Sequence, residues 1–478
     1  MRETKLLLIY HTGNEQVSPG MVVMCHAQRV NRSAGTLALV LLCLPVMFGA
    51  QAAEYIAGEE TAPTTVEDAE GPMKKAFAVE APEPTAFPAL KKRLEDAPPF
   101  WRDTQLSMQP RVYYFDRHRE NLFDSQALAY GGGLVYGSGW WRDRIKLNAS
   151  LYTTQKAYGP DDKDGTLLLK PGQEGFSVLG EANVELKLHK DITATLYRQA
   201  FDLPYINRDD SRMVPNTFEA YTVIHTGPGW DYGASHVTQM KRRFSDEFVS
   251  MSEAAGFSDT DEPMTLAGFS YNFSDDTNIG AINLYSWDYF NTLYAEANAV
   301  WSFRQGQALR LGGQFTHQKD VGDAIGGDFD TFVYSGKVSG SWRNAIITLA
   351  FSSTDDDARI RSPYGGYPGY LSLMLSDFNR AGEDAWLAGA SYDFASIGVP
   401  GLSGFANYAH GYTPDSGSSA SSDQSEFDIT VDYRFQSHAV KGLWLRARAA
   451  FLDQDEDVAG GFDVRDYRVI LNYTLPLL

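Results

Sequence analysis

Three arginines near the end of the chain are spaced for carboxylate chemistry. Arg446 and Arg448 stand two residues apart in Gly442-Leu-Trp-Leu-Arg-Ala-Arg-Ala-Ala-Phe451, and Arg468 stands in Asp466-Tyr-Arg-Val-Ile-Leu-Asn-Tyr-Thr-Leu475. A guanidinium keeps its charge at any relevant pH and offers a planar fork that grips a carboxylate through two parallel hydrogen bonds. Both segments alternate in polarity, so each reads as a strand whose successive side chains point to opposite faces. Leu443, Leu445, Ala447, Ala449 and Phe451 share one face; Trp444, Arg446, Arg448 and Ala450 share the other. In the second segment Tyr467, Val469, Leu471, Tyr473 and Leu475 oppose Arg468, Ile470, Asn472 and Thr474. Arg446 and Arg448 then lie about 6.6–6.8 Å apart along the strand. A loop centred near Ala459 sets Arg468 diagonally from Arg448, about 7–8 Å away. Such a row is a track on which an anion can step. The competing arrangement is a wall: a turn centred near Ala439 sets Asp432 opposite Arg446, and the pair then holds two strands together. Arg434, which shares its face with Asp428 and Asp432, and Lys337 are further candidates for the same polar lining. Arg310 and Arg198 also fall on polar faces.

The elements that must position these residues recur along the chain. From Gln105 onward we count eighteen alternating segments, from 105–115 to 465–475. In one of them Phe427, Ile429, Val431, Tyr433 and Phe435 oppose Asp428, Thr430, Asp432 and Arg434. The links alternate too. Tight ones follow even-numbered segments, as at Lys190, Ser274–Thr277 and Arg343–Asn344, and long ones follow most odd-numbered segments, as at 156–175, 243–263 and 353–384. The short odd link near Phe290–Asn291 is the exception. In lipid every backbone donor and acceptor must be paired, which a closed barrel achieves without edges. The expected fold is therefore all-β: a transmembrane antiparallel β-barrel of about 18 strands, with short periplasmic turns and longer extracellular loops. Apolar faces meet lipid, polar faces line a lumen, and Tyr113, Tyr114, Trp140, Trp141, Trp230 and Tyr473 suit the aromatic girdles. A soluble propeller would carry a blade repeat, and none is visible.

Composition supports this reading. The net charge of −20 argues against general nucleic-acid binding. Mean hydropathy is −0.31, as alternating strands average out, and no mature segment reaches the roughly 20 apolar residues of a membrane helix. Arg29 and Arg32 precede the apolar run Gly35–Gly49, followed by Ala50-Gln51-Ala52, which marks residues 1–52 as a signal-peptide region with a start at Met21 or Met24. Cys25 and Cys43 both fall there, leaving a mature chain without cysteine, as suits an exported protein needing no disulfide. Residues 53–100 read as a disordered, acidic, Ala/Pro-rich periplasmic linker, and 101–478 as the barrel. No catalytic constellation or cofactor motif stands out, and the histidines His118, His189, His225, His236, His317, His410 and His438 form no metal spacing. The acidic clusters Asp355–Asp357 and Asp453–Asp457 fall in outer loops.

Five motifs, in order, carry a family resemblance. They are Arg111-Val-Tyr-Tyr-Phe-Asp-Arg117, Tyr136-Gly-Ser-Gly139, Asn207-Arg-Asp-Asp-Ser-Arg-Met-Val-Pro215, Tyr392-Asp-Phe-Ala-Ser-Ile-Gly-Val-Pro-Gly-Leu402 and Lys441-Gly-Leu-Trp-Leu-Arg-Ala-Arg448. Together they resemble the OprD-type substrate-specific porins of Gram-negative outer membranes. The long acidic linker and the final Leu478, where barrels commonly end in Phe, depart from the pattern. The resemblance implies an eighteen-stranded barrel whose third loop folds inward and whose lumen carries a basic ladder for carboxylate-bearing solutes. It makes Asp209, Asp210, Ser211 and Arg212 a candidate constriction loop, whose carboxylates face the arginine track. The expected function is passive, selective diffusion of small anionic or zwitterionic solutes such as carboxylates, amino acids and peptides. The expected partners are outer-membrane lipid, lipopolysaccharide, the solutes themselves and the barrel-assembly machinery, with the barrel a monomer or homotrimer. Rival readings are an oligosaccharide-type porin, with lumenal tyrosines stacking on sugars, and an outer-membrane barrel enzyme. Tyr364-Gly-Gly-Tyr-Pro-Gly-Tyr370, in the longest loop, is a candidate cover for the mouth.

Overall fold

The computed structural model describes residues 85–478, apart from 121, 305, 438–439 and 456–461. The signal-peptide region at 1–52, the linker up to residue 84, His438 and part of the second acidic cluster lie outside the described residues. The dominant feature is an antiparallel barrel of eighteen long strands. In chain order they are β1 (Gln105–Arg119), β2 (Ser125–Gly137), β3 (Ile145–Tyr158), β4 (Phe176–His189), β5 (Ile192–Gln199), β6 (Thr217–Thr226), β7 (Trp230–Lys241), β8 (Met264–Ser274) and β9 (Thr277–Ser286). They continue as β10 (Phe290–Arg304), β11 (Gln307–Asp320), β12 (Asp330–Trp342), β13 (Ala345–Thr354), β14 (Asp384–Asp393), β15 (Leu402–Tyr412), β16 (Gln424–Arg434), β17 (Trp444–Gln454) and β18 (Val464–Asn472). Each pairs with its sequence neighbours, and β18 closes on β1 from Arg111↔Asn472 to Arg119↔Val464. Closure leaves no free edge, which is what a backbone in lipid requires. Among the described residues no helix is long and apolar enough to cross a membrane.

The two faces follow the alternation. On the last hairpin Leu445, Phe451, Tyr467 and Val469 stand 36–46% exposed, as a lipid-facing belt must. Arg446, Arg448 and Arg468 point inward and are only 4%, 5% and 1% exposed. Trp141 and Trp230 are exposed at the end of the barrel that carries the short turns. Tyr113 corrects the girdle expectation. It is 1% exposed and its hydroxyl donates to the Ser211 carbonyl, so it lies inside the barrel. Nearness to a strand end suggested the girdle for both Tyr113 and Tyr114, but neighbours on a strand face opposite sides, and Tyr113 and Phe115 occupy the inner face of β1, where an inward loop covers them.

The loops alternate as expected. The β9–β10 link at 287–289 is the short member of the long set. The two deepest loops, 200–216 and 355–383, do not stay outside. Phe201, Tyr205 and Ile206 from the first, with Ile360, Tyr364 and Tyr367 from the second, pack on Phe218, Met240, Leu284, Phe290 and Tyr294 of the wall. The barrel therefore holds an apolar core inside part of its lumen.

Two short helices precede β1: α1 (Pro88–Leu94) and α2 (Pro99–Arg102). The stretch expected to lack structure thus carries a helix in its last part. Neither helix buries a residue, so no hydrophobic periodicity announced them. A proline in the first turn opens each, where its missing N–H costs nothing.

Gly132 is among the glycines fixed by a close approach. Gly132, opposite Pro110, has φ +130°, and a Cβ there would sit 1.9 Å from the Gln109 carbonyl oxygen. Gly132→Ala should therefore strain β2 and loosen its pairing with β1, by about 1–3 kcal/mol. The temperature at which the folded band disappears on a semi-native gel is expected to fall.

Candidate functional site: a lumenal constriction

The inner face of four adjacent strands, β16, β17, β18 and β1, forms one charged sector. Their register sets the rows. Asp432 stands opposite Arg446, Thr430 opposite Arg448, and Asp428 opposite Ala450. Across the next pairing Arg446 meets Ile470, Arg448 meets Arg468, and Ala450 meets Asp466. On the far side Arg468 stands opposite Phe115 and Asp466 opposite Arg117. The expected Asp432–Arg446 pairing is present. Arg468 is a direct neighbour of Arg448 rather than a diagonal one. The centre of the β17–β18 connection falls one residue earlier than Ala459, which keeps every side chain on its face but moves its partner by two residues.

Each arginine is fastened. Arg446 grips Asp432 through Nε–Oδ1 at 2.8 Å and Nη2–Oδ2 at 2.9 Å, and its guanidinium lies 4.5 Å from the centre of the Trp444 ring. Trp444 Nε1 donates to the same carboxylate at 3.1 Å. Arg448 Nε donates to the Thr430 hydroxyl at 3.0 Å. Arg468 Nε donates to Asp466 Oδ1 at 2.7 Å, while Arg117 Nε takes Asp466 Oδ2 at 2.7 Å. Arg434 is exposed at the periplasmic end of β16, 5.8 Å from the Trp444 ring centre. Lys337, on β12, lies apart from this sector. Its Nζ is 4.2 Å from the Tyr370 ring centre, and glycine at 312, opposite it, makes room for the Tyr370 hydroxyl.

The loop 200–216 lies against β1. Arg111 holds Asp210 with Nη1–Oδ1 at 2.7 Å and Nη2–Oδ2 at 3.0 Å. Asp209 accepts from Arg243 and from the Ser211 hydroxyl, the latter at 2.8 Å. Arg212 is buried, donates to the Thr166 carbonyl at 3.1 Å, and stacks on Phe115 at 5.2 Å. All four expected loop residues thus sit inside the barrel. Asp209 and Asp210 pair with Arg243 and Arg111, not with the β17–β18 arginines.

The loop 355–383 completes the narrowing from the other side. Its tip binds the β16 carboxylates: Leu375 and Ser376 N–H each donate to Glu426 at 2.8 Å, and Met374 N–H donates to Asp428 at 3.1 Å. The Met374 carbonyl accepts from Arg468 Nη2 at 3.4 Å. The two loops also hold each other. Asn207 Nδ2 donates to the Gly366 carbonyl at 3.1 Å, and its Oδ1 accepts from Gly366 N–H at 2.8 Å. Replacing Asn207 with Ala leaves these buried groups unmatched, a loss of about 1–3 kcal/mol. The expected result is a channel with more frequent current fluctuations, read in single-channel recordings.

Sequence reasoning missed Arg111, Arg117, Arg243, Glu426 and Asp466 as parts of the site. Asp466 shares the inward parity of Arg468, and Arg117 stands opposite Asp466 on the inner face of β1, so parity could have found them. Arg243 and the backbone contacts of Glu426 depend on how long loops fold, which parity does not encode. Among the described residues no cluster of three or more His, Cys, Asp or Glu could hold a metal ion.

A charged, narrowed lumen inside a closed barrel is the anatomy of a selective pore. The family model for outer membrane porins of the OprD family matches residues 98–477. The chain belongs to that family. It is 25% identical over 415 residues to Porin D of Pseudomonas aeruginosa, covering 80% of this chain and 93% of that protein. A Porin-like protein GalP of Pseudomonas putida is 25% identical over 285 residues, 58% of this chain and 66% of that one. Among solved structures, a BenF-like porin from Pseudomonas fluorescens aligns with a TM-score of 0.72 at 22% identity, covering 79% of this chain and all of that one, 100%. OpdK of Pseudomonas aeruginosa, solved with vanillate, aligns with a TM-score of 0.71 at 22% identity, over 78% of this chain and 99% of that one. This OprD-family porin is thus a substrate-specific channel of the outer membrane and not an enzyme.

Proposed function

We propose that this porin passes small anionic and zwitterionic solutes (carboxylates, amino acids and short peptides) by passive diffusion past Arg446, Arg448 and Arg468. The observation that carries the reading is the row in which Arg448 directly faces Arg468 on the lumenal wall. Two adjacent guanidiniums repel each other, and a carboxylate between them relieves that repulsion while accepting charge-assisted hydrogen bonds. The Met374 carbonyl, 3.4 Å from Arg468 Nη2, is a weak neutral acceptor that a solute carboxylate replaces with a stronger one. On β16, in the same sector of the wall, Asp428 and Glu426 supply the opposite charge, which suits the ammonium end of an amino acid. Arg434, at the periplasmic end, extends the positive path outward. Asp209 and Asp210 hold the loop that sets the bore, and Lys337 beside Tyr370 adds a second basic position. Vanillate, bound by OpdK, is itself a carboxylate.

On the same reading the barrel is inserted by the barrel-assembly machinery, meets lipopolysaccharide with its outer loops, and works as a monomer or homotrimer. Liposome swelling tests the solute class. Glycine, glutamate and benzoate are expected to enter faster than uncharged sugars of equal size. Faster entry of the sugars overturns the proposal and favours an oligosaccharide pore.

A further inference from the structure

We infer that residues 87–102 form a periplasmic lipid anchor that takes anionic phospholipid from the membrane leaflet facing the periplasm. The segment is tied to one arc of the barrel rim. Ala86 N–H donates to the Pro476 carbonyl at 2.9 Å and Phe87 N–H to the Leu477 carbonyl at 3.2 Å, both just beyond the end of β18. Gly139, in the β2–β3 turn, donates its N–H to the Phe100 carbonyl at 2.9 Å. In a closed barrel β18, β1 and β2 are consecutive, so both ties lie on the same arc and the segment does not span the lumen.

What it presents there is apolar and basic together. Phe87, Leu90 and Trp101 are 52%, 44% and 55% exposed. Met108 and Val112 on the adjoining strand β1 are exposed as well. Lys91, Lys92 and Arg93 fill the last turn of α1, ahead of Glu95 and Asp96, while Arg102, which ends α2, is ion-paired with Asp103 at 2.8 Å. In a chain of net charge −20 such residues beside exposed aromatics match a surface of opposite charge with an apolar interior. Helix α1 lies before residues 98–477, which the family model matches, and α2 lies within them.

The anchor is tested by depth. Leu90→Cys carries a nitroxide in a full chain whose own Cys25 and Cys43 are replaced by Ser. The protein is placed in vesicles of phosphatidylcholine alone or with phosphatidylglycerol, and collision of the label with a water-soluble nickel chelate is measured. Phosphatidylglycerol is expected to shield the label. The triple variant Lys91→Gln, Lys92→Gln, Arg93→Gln is expected to lose about a hundredfold in the partition of the segment into lipid, at about fivefold per basic residue. A mid-belt label at Val338→Cys stays shielded in both and reports that the barrel is intact. Equal exposure of the residue 90 label in the two lipids overturns the anchor. So does shielding by phosphatidylglycerol that the triple variant leaves unchanged, or retention on lipid-free peptidoglycan that accounts for all binding.

Discussion

Replacing Asp466 with Ala is expected to cost this barrel more stability than any other single change in the pore wall. The carboxylate is fully buried, and its two oxygens take Arg468 and Arg117, each at 2.7 Å. Removing it leaves two guanidiniums close together with little water to solvate them. Breaking a buried ion pair by deleting one partner costs about 3–5 kcal/mol, because the remaining charge is stranded. The temperature at which the folded band is lost on a semi-native gel should fall well below that of Gly132→Ala. A companion variant separates charge from packing. Adding Arg117→Leu to Asp466→Ala removes one stranded charge and should recover part of the loss. If the Asp466→Ala barrel melted with the wild type, the pairing described here would not be holding the wall.

The second large effect concerns solute. A barrel with Arg446→Ala and Arg448→Ala should bind a small dicarboxylate about a hundred- to ten-thousandfold more weakly, at about 1.5–3 kcal/mol for each of two hydrogen bonds to a charged group removed. Block of the ionic current by added dicarboxylate measures this directly. The two arginines differ in what they leave behind. Loss of Arg446 strands Asp432, which is itself only 5% exposed, and so adds an unmatched negative charge to the wall. Arg448 Nε donates to the Thr430 hydroxyl and the residue faces Arg468, so Arg448→Ala leaves the Asp432–Arg446 pair in place while removing one of the two adjacent guanidiniums. Block that is equally strong in both variants and in the wild type would remove these residues from the path.

Much of the barrel was legible because lipid on one face and water on the other impose a period of two on every strand. The Asp432–Arg446 pairing followed from a tight turn, whose centre few residues can shift. The Arg448–Arg468 pairing was missed by one loop residue, since a longer connection leaves its centre free while parity stays fixed. The interior was less legible. Loops 200–216 and 355–383 create an apolar core within the lumen, so Tyr113 and Phe115 on the inner face imitate lipid-facing residues. Asp209 and Asp210 could be placed inside by resemblance. Their partners, Arg243 and Arg111, come from β1 and the start of another loop, and no local pattern joins them. Helix α1 escaped because it buries nothing, and burial is the source of helical periodicity.

On the proposed function the lumenal arginines favour anions. That preference is met most directly by the zero-current potential in a planar bilayer with a potassium chloride gradient. The wild-type pore is expected to give the sign of an anion-selective channel. Arg448→Ala should move the potential toward the cation-selective sign. Asp432→Asn, which neutralises the partner of Arg446, should move it the opposite way. A cation-selective wild-type pore whose potential neither variant changes would contradict the account.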